Sequence, residues 1–312
     1  MKQPSRTIAI VAAAMIGIGL ILGFSGYALS GFNLGSEHGS NSSYDHNIYT
    51  YDPSGITDID VSDIDSNVIV TASGDKQITV DCYENDYYQY RIDNLNGKLT
   101  IEKANTKRWF FENLFTAAPS SIPLTITIPS DWMADLSVGN VSGSVSVTDL
   151  NAESLSVANT SGSISIEHSA VRNGISASSV SGSITLNDAS CGADAKLETT
   201  SGSIRTDGLQ TGGYLAVRNV SGSIDLNATR ASGDISVNST SGSVSFATLS
   251  GNNLSFETVS ASINGTLAVN SQDYYITSDS VSGKVSIMGG SVNGTKQLKA
   301  TSTSGNIDIV FQ

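Results

Sequence analysis

The residues best suited to chemistry form an acidic run near the start of the chain. The segment ITDIDVSDID contains Asp58, Asp60, Asp63 and Asp65. Several carboxylates in a short segment are typical of Ca²⁺ ligands, but the run lacks both the D-x-D-x-D-G loop and the G-G-x-G-x-D repeat of common calcium sites. Because Asp58 and Asp60 alternate with apolar residues, we expect them on the solvated face of a strand. No metal site is predicted, and calcium binding by this acidic region stays an open alternative.

Residues for catalysis are sparse. Of the three histidines, His38 and His46 lie in a polar segment where we expect them to be solvated, and His168 stands alone among the later residues. A Ser-His-Asp triad or a histidine-based zinc site therefore lacks partners. Serine without a neighbouring base is a weak nucleophile. We predict no catalytic, metal-binding or cofactor-binding residues, and an enzyme remains an alternative only if distant acids converge on one groove.

Cys82 and Cys191 are the two cysteines of the chain. They are far apart in sequence and belong to no redox or metal-binding motif. We expect two idle or buried thiols in preference to a disulfide.

The segment KRWFFENLF concentrates the aromatic residues Trp109, Phe110, Phe111 and Phe115 in a chain that is 7% aromatic. We favour a plug that covers one end of the hydrophobic core. The alternative is an exposed contact surface for a protein partner or for the membrane surface.

Composition excludes several classes of protein. The chain has 312 residues, of which 39% are apolar and 14% charged, and its net charge is −13. These values exclude a disordered tail and a disulfide-stapled miniprotein. The negative charge opposes binding to nucleic acid, so no nucleic-acid partner is predicted.

The N-terminus predicts a membrane anchor. Residues 8–29 carry no charge and follow Lys2 and Arg6. Such a run is long enough to span a bilayer, and the flanking cations favour a cytoplasmic N-terminus. We therefore predict a cytoplasmic segment (1–7), a single-pass transmembrane helix (8–30) and an extracytoplasmic remainder. A cleaved signal peptide is the alternative, since Gly26-Tyr27-Ala28 resembles a cleavage site.

A repeat dominates the rest of the chain. Nine copies of a motif close to apolar-x-apolar-x-x-[Val/Thr]-Ser-Gly-Ser-[Ile/Val]-x-apolar follow one another at intervals of 19 to 22 residues. Ala261 replaces the glycine in the seventh copy, and Lys284 and Asn306 replace the second serine in the eighth and ninth. Period-two alternation on both sides of Ser-Gly predicts two short strands around a glycine corner. A unit of this length cannot bury a core alone, so successive units are expected to stack in order. The pattern predicts an all-β, single-stranded β-solenoid with coils of about 20 residues.

The segments before the repeats complete the predicted domain organisation. Residues 31–54 are rich in Gly, Ser and Asn and are expected to form a flexible tether. Residues 55–135 contain alternating strands and are expected to form an irregular β cap with the first coils, followed by the regular repeats of residues 136–312.

The order of these features resembles a known family. A single N-terminal span, a tether, an I-x-D-I-x-V opening strand, the block PLTITIPSDW and iterated V-S-G-S-V are similar to the domain of unknown function 4097, also called the toastrack or putative adhesin family. The resemblance covers about residues 55–312. It implies a bacterial envelope protein with a β-solenoid ectodomain, and it supplies no functional residues.

These observations favour a non-enzymatic, extracytoplasmic binding or scaffold module of the bacterial cell envelope. Cell-wall glycan is the first expected partner. The alternative is a membrane protein partner in an envelope-stress pathway, contacted through the aromatic segment, and a carbohydrate-active β-helix enzyme is the third hypothesis.

Overall fold

The computed structural model describes residues 44–85, 88–105 and 120–312. The predicted anchor (8–30), residues 31–43 of the predicted tether and the aromatic residues Trp109, Phe110, Phe111 and Phe115 lie outside the described residues. Among the described residues, no helix has the length and apolar character needed to cross a membrane. Their single helical segment is a 3₁₀ turn at Ser271–Asp273.

The repeats form a β-solenoid of parallel strands, as predicted. In every repeat the segment before Ser-Gly lies in one long sheet and the segment after it lies in another. Equivalent residues of neighbouring repeats pair directly, so that Ile164 faces Val145 on one side and Ile184 on the other. The same alternation therefore falls on the same face in each coil, and it builds one continuous core.

Three sheets make up the solenoid. Sheet A, with the strands that follow each corner, contains β1 (Asp45–Tyr51), β3 (Ser66–Ser73), β4 (Ile78–Glu84), β7 (Ser120–Pro129), β9 (Val145–Thr148), β12 (Ile164–Glu167), β15 (Ile184–Asn187), β18 (Ile204–Asp207), β21 (Ile224–Asn227), β24 (Val244–Leu249), β26 (Ile263–Leu267), β28 (Val285–Ile287) and β30 (Ile307–Phe311).

Sheet B, with the strands that precede each corner, contains β2 (Asp58–Asp63), β5 (Tyr88–Leu95), β6 (Lys98–Asn105), β8 (Asp135–Asn140), β11 (Ser154–Asn159), β14 (Ile175–Ser179), β17 (Ala195–Thr199), β20 (Leu215–Asn219), β23 (Ile235–Ser239), β25 (Leu254–Thr258), β27 (Tyr274–Ser280) and β29 (Lys296–Ser302).

Sheet C was not predicted from the sequence. It consists of two-residue strands between consecutive coils: β10 (Asn151–Ala152), β13 (Ala170–Val171), β16 (Ser190–Cys191), β19 (Gln210–Thr211) and β22 (Arg230–Ala231). These strands add a third wall, and small side chains such as Ala152 and Ala231 are buried against the core.

The order of the coils in space differs from their order in sequence at both ends. The coil of β2 and β3 contacts the first repeat, although β4 to β7 separate them in the chain. At the other end, β29 and β30 lie between the coil of β25 and β26 and that of β27 and β28. The expectation that successive units stack in order is therefore wrong for the ninth repeat, which is inserted between the seventh and the eighth.

The inserted coil changes the environment of the eighth repeat. We expected Val285 and Ile287 in the core, but Val285 is 38% exposed and Ile287 is half-buried. Their coil is the outermost at this end of the solenoid, where it also exposes Met288 and Val292. The residues in register with them, Ile307 and Ile309, take the buried positions.

Part of the predicted tether belongs to the folded body. Residues 45–51 form β1, which pairs along its whole length with β4 in antiparallel orientation. His46, expected to be a solvated tether residue, stacks on Tyr83 and lies 2.8 Å from an oxygen of Asp81. The expected tether therefore includes seven residues of strand, because polar residues can occupy an edge strand that faces solvent.

The two cysteines are free and buried. Cys82 faces the core from β4, and Cys191 stands in β16 between Val171 and Thr211. Burial raises the pKa of the Cys82 thiol to about 12, with the charges of Glu84 and Asp81 adding to the shift, and burial raises the pKa of Cys191 to about 11. Both side chains are therefore protonated at neutral pH.

This protonation leads to a labelling prediction. Because the thiolate is the nucleophile in alkylation, we expect the folded protein at about pH 8 to resist iodoacetamide and the denatured protein to take up label at both cysteines. Intact-mass spectrometry before and after denaturation measures both states. Labelling of the folded protein at the rate of the denatured control would contradict the burial of these thiols.

Candidate functional site

A shallow groove runs across the outer face of sheet B. Its volume is about 460 Å³, and strands of the cap and of the first repeats line it. Serines 137, 156 and 176 stand in register on β8, β11 and β14 and form a row along its floor. The row ends at Asp60 on one side and at Lys196 on the other.

A second row of outward-facing residues runs beside the serines, and two small residues in it form the groove. At the start of the same strands the outward positions are Asp135, Ser154, Gly174, Asp194 and Tyr214. Ser154 and Gly174 leave a depression between larger neighbours. Tyr214 is 47% exposed at its rim, and its backbone N–H donates to Asp194 at 2.9 Å.

The electrostatics of the groove are acidic. Asp58, Asp135 and Asp194 line it. The nearby cations are already paired, since Lys98 lies 2.8 Å from Asp60 and Lys196 lies 2.8 Å from Glu198. Hydroxyls, carboxylates and one exposed aromatic ring suit a polyhydroxylated ligand, and the negative charge disfavours a polyanion.

Each glycine corner brings two coils into close contact. A Cβ placed on the corner glycines would lie 1.5 to 2.4 Å from a backbone carbonyl oxygen of the neighbouring coil. At these eight corners only glycine fits, and Ala261 occupies the equivalent position in the remaining repeat. The Ser-Gly signature of the other eight repeats is therefore a packing requirement of the solenoid.

A ladder of inward-facing polar side chains, buried except for the half-buried Ser280, accompanies the corners. The inward residue two positions before the corner serine is polar in each repeat: Asn140, Asn159, Ser179, Thr199, Asn219, Ser239, Thr258, Ser280 and Ser302. Their side chains bond corner backbone groups, as when the Asn159 amide donates to the Gly143 carbonyl at 2.7 Å. The ladder satisfies backbone groups that the turn leaves without strand partners.

The ladder ends at the cap in a charged cluster. Asp63 pairs with Asn140, the first residue of the ladder. Lys103 comes directly after Glu102, which pairs with Ser62, so Lys103 lies beside Asp63 on the neighbouring strand. The Lys103 ammonium lies 2.5 Å from Asp65 and 2.6 Å from the Ser66 hydroxyl. The Tyr90 hydroxyl donates to Asp63 at 2.6 Å, and burial, with the charge of Asp63, raises the pKa of Tyr90 well above its usual value.

The structure thus divides the acidic run into two pairs. Asp58 and Asp60 face outward beside Lys98, as predicted. Asp63 and Asp65 are buried instead, because the strand alternation turns Asp63 inward and the following turn brings Asp65 to Lys103. Among residues 44–85, 88–105 and 120–312, no group of three or more His, Cys, Asp or Glu side chains is arranged to hold a metal ion.

His168 lies at an outer corner between two acids. Its ring nitrogens are 3.7 Å from Asp149 and 3.8 Å from Asp188, on the coils before and after it. All three side chains are largely exposed, and all three residues have positive φ. His168 therefore takes part in contacts between neighbouring coils at a solvent-exposed corner.

Comparison with known families identifies the chain. The family model Toastrack DUF4097 matches residues 56–310. The chain belongs to this family. The match begins just before β2 and ends within β30, so the toastrack domain includes the cap, the inserted final coil and the groove.

Three solved structures match most of the chain at low sequence identity. A putative lipid binding protein from Parabacteroides distasonis has a TM-score of 0.51 and 15% identity, with 85% of this chain and 97% of that chain covered. A putative adhesin from Bacteroides fragilis has a TM-score of 0.42 and 15% identity, with 86% and 98% covered. A putative cell adhesion protein from Clostridium sporogenes has a TM-score of 0.25 and 9% identity, with 86% and 100% covered. No curated protein matches the chain.

Proposed function

We propose that this toastrack protein is a non-enzymatic binding module of the cell envelope, and that the groove on sheet B holds a neutral or basic glycan. The observation that carries the proposal is the row of three serines beside an exposed tyrosine and several carboxylates. Sugar hydroxyls can exchange hydrogen bonds with the serines and aspartates, and a sugar ring can pack on Tyr214.

The envelope location is supported by the N-terminal sequence. The uncharged run of residues 8–29 follows Lys2 and Arg6, which favours export of the solenoid. The solved structure from Parabacteroides distasonis, which has a similar fold, is described as a putative lipid binding protein, and that description agrees with a binding role.

Two exposed tyrosines in equivalent positions provide a test of glycan binding. Tyr214 and Tyr275 are both outward residues at the start of sheet B strands, and they are 47% and 50% exposed, but only Tyr214 lines the groove. We expect Tyr214→Ala to weaken retention on immobilised chito-oligosaccharide, a neutral glycan, about tenfold, a change of about 1.4 kcal/mol, and Tyr275→Ala to leave it unchanged. The measurement is a pull-down titration of the purified full-length chain in detergent.

The outcomes separate the hypotheses. No retention of the unmodified chain on either a neutral glycan (chito-oligosaccharide) or a basic one (chitosan) would reject the proposed function. Equal losses in both variants would place the binding surface outside the groove. Release of reducing ends from the polysaccharide would favour the enzyme hypothesis, because the groove does gather Asp58, Asp135 and Asp194.

A further inference from the structure

The charged cluster of the cap contains a buried amine in contact with a buried carboxyl group. Lys103 is 8% exposed and Asp65 is 7% exposed. Nζ of Lys103 lies 2.5 Å from Oδ1 of Asp65. The carboxyl carbon of Asp65 is one bond beyond that oxygen, so the amine is within reach of an electrophilic carbon.

We propose that Lys103 and Asp65 are joined by an intramolecular isopeptide bond. The bond ties β6 to the turn between β2 and β3 at the cap end of the solenoid. It is independent of the ligand proposed for the groove, and it makes the cap a covalently closed unit.

The reaction begins with proton transfer within the pair. A proton that passes from the ammonium to the carboxylate gives a neutral amine and a carboxylic acid, and both groups are buried away from water. A desolvated neutral lysine is a competent nucleophile. The rings of Tyr88 and Tyr90, 5.0 and 5.8 Å from Nζ, cover the amine.

Asp63 is placed to move the proton. It is 2% exposed, and its carboxylate lies 3.9 Å from Nζ of Lys103. It is held by the Tyr90 hydroxyl and by the backbone N–H groups of Asp65 and Ser66. A fixed carboxylate beside a reacting amine can act as a general base and then as a general acid.

The reaction is a balanced condensation. Nζ attacks the carboxyl carbon of Asp65, and a C–N bond forms. Asp63 accepts a proton from the nitrogen and delivers it to the departing hydroxyl group, and the C–O bond breaks. One amide and one water molecule result, with no oxidant, reductant or other reactant.

An exposed Lys–Asp pair that joins β6 to β2 provides an internal comparison. Lys98 of β6 lies 2.8 Å from Asp60 of β2, and both side chains are more than one-third exposed. This pair is in contact with water, whereas the pair of Lys103 and Asp65 is shielded from it. The same chemical groups are therefore expected to react at Lys103 and to remain unlinked at Lys98.

The test is mass spectrometry of the purified full-length chain. The expected mass is lower than that of the sequence by one water molecule, and proteolysis is expected to give a branched peptide that joins Lys103 to Asp65. Lys103→Arg, which keeps the charge, and Asp63→Asn, which keeps both linked residues, are expected to abolish the branched peptide. Lys98→Arg is the matched control and is expected to retain it.

Two results of this experiment would contradict the proposal or a part of it. A full sequence mass with separate linear peptides for Lys103 and Asp65 in the unmodified, folded chain would overturn the proposal and leave an ordinary buried ion pair. A branched peptide in Asp63→Asn would overturn the role of Asp63. The result for the unmodified chain does not depend on whether any variant folds, and circular dichroism verifies the fold of each variant.

Discussion

Gly202→Ala is expected to destabilise the solenoid by about 3 kcal/mol, at the upper end of the usual cost of forcing extra volume into a packed site. A Cβ on Gly202 would lie 1.9 Å from the carbonyl oxygen of Gly182 and 2.4 Å from its carbonyl carbon. These are backbone atoms of the next coil, held by strand pairing on both sides of the corner, so no side-chain rotation relieves the contact. The two coils must separate, and their shared hydrogen bonds must lengthen.

A glycine outside the corners provides the control. Apart from its own chain neighbours, a Cβ on Gly74 would meet no atom of the described residues within 4 Å, and we expect Gly74→Ala to change stability by less than about 0.5 kcal/mol. Thermal unfolding followed by circular dichroism should show a midpoint about 10 °C lower for Gly202→Ala. Equal midpoints in the two variants would show that coil spacing does not depend on the corner glycine.

The natural sequence contains one exception to the corner glycine. Ala261 occupies that position in the seventh repeat. Its strand β26 pairs with β24 through a register shift between Phe246 and Leu249, and Gly265 on the same strand makes room for the Phe246 ring. The coil with alanine at its corner is thus also a coil with irregular pairing, whereas β18 and β21 next to Gly202 pair in unbroken register with their neighbours.

Much of the architecture follows from local alternation in the sequence. The inward residues predicted for the first seven repeats are buried, including Val147, Ile166 and Leu186. Sheet C was not predicted because a two-residue strand such as Ala170–Val171 is too short to show an alternation of apolar and polar residues. Its trace in the sequence is a buried residue about every 20 positions: Ala152, Val171, Cys191, Thr211 and Ala231.

The candidate sites were harder to predict than the fold. The groove depends on lateral neighbours, because Ser154 and Gly174 form a depression only when Asp135 and Asp194 stand beside them on other coils. The charged cluster did leave a local signal. Asp63 continues the inward phase of Ile59 and Val61, and Lys103 continues that of Leu99 and Ile101, so opposite charges at inward positions indicated a buried pair.

The order of the terminal coils could not be predicted from the repeats themselves. The eighth and ninth copies have the same pattern and the same spacing, and either could form the outermost coil. Spatial order depends on which copy covers the exposed edges of β25 and β26. In the structure the last segment of the chain covers them, and β27 and β28 pack outside it.

The order of the terminal coils predicts a second large effect, a difference in the stability lost when either of two isoleucines is substituted. Ile309 of β30 and Ile287 of β28 occupy the same register position on adjacent strands. Ile309 is 1% exposed, whereas Ile287 is half-buried on the outermost coil. We expect Ile309→Ala to cost about 3 kcal/mol through lost burial and a cavity, and Ile287→Ala to cost about 1 kcal/mol because its site can collapse toward solvent.

A solenoid stacked in sequence order predicts the reverse ranking. In that arrangement Ile287 would lie in the penultimate coil, between two neighbours, and Ile309 would lie in the terminal coil. Chemical denaturation of both variants measures the two free energies of unfolding, with the midpoint compared at an unchanged slope.

Hydrogen exchange localises the effect: Ile309→Ala is expected to raise exchange in both β26 and β28, since β30 pairs with both. Two results would contradict the inserted coil: a larger loss of stability in Ile287→Ala than in Ile309→Ala, or faster exchange in Ile309→Ala that is confined to β30. A strand that pairs with two neighbours is expected to affect exchange in both of them.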